Sequence, residues 1–348
     1  MKPGDPGVYA LIIGISRYDH LLGGAAKPAG ETYGLGQLAV SAFTALRFFG
    51  WLRSDYHLNG WPLARVRLLL SPLKKSVGES ASDELENCDP NIVAHAPEAT
   101  FANCKNAIAN WYGEMKELMP PTKGRSLLLF SGHGMQIAKA NQLLLPSDYG
   151  RPRGSLDEAI RTQNLFECLS SLATVTSHVV LLDACRNDID KLRKVTGTNV
   201  IAESGSSGDP LLELRVLRAT AYGLRAFQPK TKGGMSLFGQ ALLDGLSAKL
   251  NPVLGEAPIE LSARGKVKTV EINNLQVYMN GRINALIKAA NESVIQVVRA
   301  DDSQSAAGTI YITELEAAAT ADVSASEEHE EGRRGDDRLP ISQAGPSF

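Results

Sequence analysis

Two stretches decide how this chain is read: Ser126-Leu127-Leu128-Leu129-Phe130-Ser131-Gly132-His133-Gly134, and His178-Val179-Val180-Leu181-Leu182-Asp183-Ala184-Cys185-Arg186-Asn187. Each is an apolar run of strand length that stops at a residue able to do chemistry. An unbroken apolar run, rather than an alternating one, is what a strand buried on both faces shows. In a parallel α/β sheet the carboxyl ends of the strands face the ligand crevice. Neighbouring strands ending in His133 and Cys185 therefore put an imidazole and a thiol on one rim, where a base activates a sulfur nucleophile.

The flanking sequence supports such a sheet. Val8 to Ile15 is another buried-strand run, and a Gly-rich loop from about Gly23 to Gly36 follows it. Helical spacing predicts helices over Gln37–Leu52, Thr100–Leu118, Arg161–Ala173, Ser236–Leu250 and Ile272–Ala289. Strands are predicted over Arg65–Leu70, Val216–Tyr222, Val294–Val298 and Thr309–Ile312, with a short arm over Gln142–Asp148. Lys74–Glu98 reads as a surface loop. This alternation of strand and helix predicts a mostly parallel central sheet with helices on both faces, and right-handed crossovers bring the His and Cys strands together. Residues 1–316 are expected to form one domain carrying a flexible 187–214 loop. The Ala- and Glu-rich 317–348 segment is expected to be a disordered tail.

Bulk properties exclude several classes. A net charge of −2 argues against general nucleic-acid or membrane-surface binding. The Val8–Ile15 run is too short to span a bilayer and lacks a signal-peptide cleavage site. Of the four cysteines, Cys88, Cys104, Cys168 and Cys185, none forms a CxxC pair, so no structural zinc is expected. Reduced thiols in a cytoplasmic setting fit best. No calcium-type D-x-D-x-D-G loop is present, and Glu327-Glu328-His329-Glu330-Glu331 reads as a solvated end, so neither cofactor nor metal is expected. GxSxG, P-loop and GxGxxG signatures are absent.

Four stretches carry a family resemblance: Tyr9–Ile15; Phe130-Ser131-Gly132-His133-Gly134; Leu182-Asp183-Ala184-Cys185-Arg186; and Ala219-Thr220-Ala221-Tyr222 with Ser236–Leu242. The chain resembles the caspase–metacaspase superfamily of cysteine peptidases, and His133 stands roughly 50 residues before Cys185, as caspase-type motifs do. The resemblance implies a caspase-hemoglobinase fold and an endopeptidase working through an acyl-enzyme. Cys185 would be the nucleophile, His133 the acid/base, and the backbone N–H groups of Gly134 and Cys185 the oxyanion hole. Ala219, Thr220 and Ala221 would line the bound peptide.

Asp183 sits two residues before the cysteine, where metacaspases carry an acidic S1 residue, so cleavage after Arg or Lys is expected. Ser41 occupies the place where the family often has a second acid, and Asp148 is a candidate replacement. Arg186, Lys191, Arg193 and Lys194 are candidate self-cleavage points in the post-cysteine loop. The implied partners are a protein or peptide substrate and an activating protease or partner protein. An inactive scaffold of the same fold and a transamidase remain open alternatives.

Overall fold

The computed structural model describes residues 5–28, 32–73, 90–118, 124–138, 141–152, 154, 157–172, 174–175, 177–188, 195–202, 213–220, 234–248, 259, 261–264, 267–304 and 309–315. The chain divides into units Met1–Leu315 and Glu316–Phe348, and all that follows concerns the first. Its strands are β1 (Gly7–Ile15), β2 (Leu63–Ser71), β3 (Gly124–Gly132), β4 (Gly134–Ala138), β5 (Asn141–Leu144), β6 (Ile160–Arg161), β7 (Ser177–Ala184), β8 (Asn187–Asp188), β9 (Glu213–Arg218), β10 (Ser262–Arg264), β11 (Val267–Glu271), β12 (Arg299–Gln304) and β13 (Tyr311–Leu315). The helices are α1 (Ser41–Ser54), α2 (Pro90–His95), α3 (Phe101–Lys116), α4 (Thr162–Ser170), α5 (Leu237–Leu246) and α6 (Ile272–Ala289).

The main sheet has the order β12-β9-β7-β3-β1-β2. Its pairs are parallel except β12 with β9. β1, β3 and β7 are buried at every position, which is why their sequences lack alternation. Their side chains still alternate between faces. Val8, Ala10, Ile12, Leu127, Leu129, Val179 and Leu181 share a core with α1, α5 and α6. Leu11, Ile13, Leu128, Phe130, Val180 and Leu182 share the opposite core with α3 and α4. A four-stranded sheet, β6-β5-β4-β8, continues from the carboxyl ends of β3 and β7, and a separate three-stranded sheet, β10-β11-β13, packs Val270 and Ile312 into the α1/α5/α6 core.

Several predicted elements shift, each for a local reason. α1 begins at Ser41, not Gln37, because the Gln37 side chain is committed to Tyr18 N–H and to the Tyr18 and Leu22 carbonyls. The Ser16 hydroxyl then accepts from Ala42 N–H at 2.9 Å and sets the helix start. The predicted 74–98 loop contains α2, with residues 74–89 outside the described set. Val294–Val298 is not a strand. The Val298 backbone is taken by the Asn280 and Gln276 side chains, and the edge strand is the following Arg-Ala-Asp-Asp-Ser-Gln, too polar to show an apolar pattern. The strand predicted over 216–222 runs from Glu213 to Arg218 instead. β4 was hidden behind the glycine that ends the histidine motif.

Candidate active site

Gly132 and Ala184 are register partners on β3 and β7. The next residues, His133 and Cys185, thus leave the sheet side by side, on strands about 4.8 Å apart. His133 is buried. Its backbone N–H donates to the Tyr18 hydroxyl at 2.7 Å, and its ring lies tilted against the Tyr18 ring with centroids 4.7 Å apart. Gly132 makes room for this: a Cβ there would come 2.8 Å from the Tyr18 hydroxyl.

The ring's Nε2 lies 2.7 Å from the Gly36 carbonyl. A carbonyl only accepts, so this bond assigns the proton to Nε2 and leaves the lone pair on Nδ1. Nδ1 is buried and has no hydrogen-bond partner among the described residues. Burial pushes the imidazole pKa down to about 4, against the Gly36 bond, which raises it. At neutral pH the ring is therefore uncharged and able to take a proton at Nδ1.

Cys185 is partly exposed and in no disulfide. Its carbonyl accepts from Gln142 Nε2 at 2.9 Å. Gly134, opposite Leu144 at the start of β4, presses on the same peptide: a Cβ there would meet the Cys185 oxygen at 2.7 Å and Gln142 Nε2 at 2.8 Å.

Asp183, by strand alternation with Val179 and Leu181, lies on the α1/α5 face of β7, two residues before Cys185. It is 2 % exposed. The hydroxyls of Ser131, its register partner, and of Ser236 both donate to its Oδ2 at 2.6 Å. Ser236 in turn caps α5, accepting from Gly239 N–H, and donates its own N–H to Thr44 on α1. Burial raises the Asp183 carboxyl above its usual range, with the two serine bonds pulling the other way. Such a carboxylate, held at one oxygen, is suited to a cation that arrives at the other.

Other sequence candidates fall differently. Ser41 opens α1 fully buried, one turn before the Thr44 that reaches Ser236. Asp148 Oδ1 accepts from Phe101 N–H at the start of α3. α3 packs on the opposite face of the sheet from Asp183. Arg186 is 6 % exposed, and its Nε donates to Gln136 Oε1 at 2.9 Å. Lys191, Arg193 and Lys194 lie outside the described residues. Ala219, whose N–H donates to the Leu182 carbonyl, and Thr220, whose buried hydroxyl has no partner among the described residues, follow β9; Ala221 is not described. Sequence reasoning missed Gly36, Tyr18, Gln142 and Ser236. Gly36 acts through a main-chain oxygen, which leaves no side-chain signature.

A family model, the caspase domain of the C14 peptidases, matches residues 8–294. The chain belongs to the caspase-domain family. Among solved structures it is similar to caspase-1 from Spodoptera frugiperda, at 12 % identity, over 90 % of this chain and 93 % of that one, with a TM-score of 0.46. No curated protein matches. Membership makes the fold a caspase-type α/β fold and the class that of cysteine peptidases. Among the described residues of this caspase-domain chain, no helix is long and apolar enough to cross a membrane, and no three His, Cys, Asp or Glu side chains group as a metal site.

Proposed function

We propose that this chain is a cysteine endopeptidase that cuts proteins after Arg or Lys, with Cys185 as nucleophile and His133 as acid/base. The observation that carries the reading is the His133 Nδ1, without a hydrogen-bond partner among the described residues and with its tautomer set by Gly36, just past the strand end that pairs with the one before Cys185. Nδ1 takes the thiol proton. The thiolate attacks the substrate carbonyl carbon, and the tetrahedral oxyanion is met by backbone N–H groups of the Gly134 and Cys185 peptides. The intermediate collapses to a thioester as Nδ1–H protonates the leaving amine. Water then attacks the thioester, giving its proton to Nδ1, and releases the carboxylic acid and the thiol.

The basic preference rests on Asp183, whose Oδ2 is held by two hydroxyls while Oδ1 is left to bind a guanidinium or ammonium. Ala219 and Thr220, just beyond the end of β9 beside β7, are assigned to the wall along the bound peptide. Self-cleavage, if the enzyme matures that way, falls to Lys191, Arg193 or Lys194, since Arg186 is buried.

The test is hydrolysis of peptides with Arg, Lys or Asp before the cut, beside mass spectrometry of the purified chain over time. Arg and Lys peptides are expected to turn over and Cys185→Ala to be inert. Equal turnover by that variant, or preference for Asp, would overturn the reading.

A further inference from the structure

Gln142 is a fully buried amide with both ends committed. Its Oε1 accepts from Arg218 Nη1 and its Nε2 donates to the Cys185 carbonyl at 2.9 Å. A guanidinium only donates, so Arg218 settles the amide's orientation: the oxygen must face it, and the donating nitrogen must face Cys185. Thr162 fixes the Gln142 backbone from both sides, its hydroxyl donating to the Gln142 carbonyl at 2.9 Å and accepting from its N–H at 3.3 Å. Arg218 is itself 2 % exposed, with its guanidinium 5.3 Å from the centre of the Phe166 ring. One side chain thus joins β5, the residue just beyond β7 and the last residue of β9. Neither catalysis nor Asp183 uses it.

We infer that Gln142 is a positioning residue for the nucleophile, pinning the Cys185 peptide by its carbonyl while Arg218 locks the amide and couples it to the strand leading into Ala219 and Thr220. The inference rests on Cys185 being the nucleophile. The β7 ladder ends at Ala184, and at the next residue the Gln142 amide holds the Cys185 main-chain carbonyl. Errors of about 1 Å in such placement cost on the order of 100-fold in rate.

Two full-length variants separate this from packing. Gln142→Glu keeps the shape and still accepts from Arg218 but offers Cys185 no donor. Gln142→Met keeps the volume and loses both bonds. Both are assayed well below their melting temperatures. The expected result is a fall in kcat of roughly 10- to 100-fold in each, with KM within about threefold. Wild-type kcat in Gln142→Glu, or a loss confined to KM, would overturn the inference.

A crystal structure of Gln142→Met supplies a readout that needs no turnover. The Cys185 carbonyl is expected to swing by about 1 Å or more; a carbonyl that stays within about 0.5 Å refutes the pinning. A wild type inert on every peptide, beside a displaced carbonyl in Gln142→Met, would end the peptidase reading and with it the role in catalysis, while the pinning of the Cys185 peptide would stand.

Discussion

Replacing Asp183 with Asn should move activity and stability in opposite directions. The two hydroxyl donors, Ser131 and Ser236, both point at Oδ2 at 2.6 Å, and an Asn carbonyl oxygen in that place accepts the same pair. The shape survives and only the charge goes. Burial raises the Asp183 carboxyl, so the folded protein binds this proton more tightly than the unfolded chain does. Its favourable contribution is present below the ordinary carboxylate pKa and is lost as pH rises through the raised value. Each unit of upward shift takes about 1.4 kcal/mol from the folded state at neutral pH, and Asn restores it. Urea unfolding should therefore show Asp183→Asn more stable than wild type at pH 7, with the gap closing below about pH 4. A substrate cation, meanwhile, loses its buried partner. Breaking such a pair costs about 3–5 kcal/mol, a drop in kcat/KM for Arg peptides of roughly 100- to 1000-fold or more. Unchanged Arg cleavage would show that Asp183 merely orders the loop. A variant less stable than wild type at pH 7 would refute the electrostatic reasoning.

His178, fully buried with Nδ1 2.8 Å from Ser126 Oγ, is pushed down by burial to about 3. Being depressed, it contributes stability above its unfolded pKa near 6.5 that is lost as pH falls towards 3. Wild type should therefore lose about 1.4 kcal/mol per pH unit more than His178→Gln below pH 6.5, and parallel urea-stability curves would refute this. The acid limb of kcat/KM should lie near pH 4, where the Nδ1 lone pair of His133 is lost, and a midpoint at 6.5 in a pH–rate profile would contradict the burial argument. Gly134→Ala places a methyl 2.7 Å from the Cys185 oxygen. It should cost about 1–3 kcal/mol in thermal or urea unfolding and lower kcat further than that loss explains, whereas wild-type kcat would show that the peptide gives way harmlessly.

The sheet was legible because β1, β3 and β7 are buried on both faces, and unbroken apolar runs record that state directly. The partners of His133 and Asp183 were not legible. Gly36 contributes a main-chain oxygen, and Ser236 meets Asp183 from 53 positions away, so neither contact has a local pattern. The polar edge strand β12 was missed because its hydrogen bonds to β9 are made by backbone, whatever its side chains.

The amino-acid order by itself determined the α/β class, the two strands that bear chemistry and the identity of the residues at their ends, because burial and strand period are written in consecutive residues. Tertiary structure alone decided which nitrogen of His133 is left bare, that Asp148 lies on the opposite face from Asp183, that Arg186 is buried and that Gln142 holds the cysteine peptide. Those outcomes depend on which faces and carbonyls are brought together in space, and a face reverses with every single step along a strand.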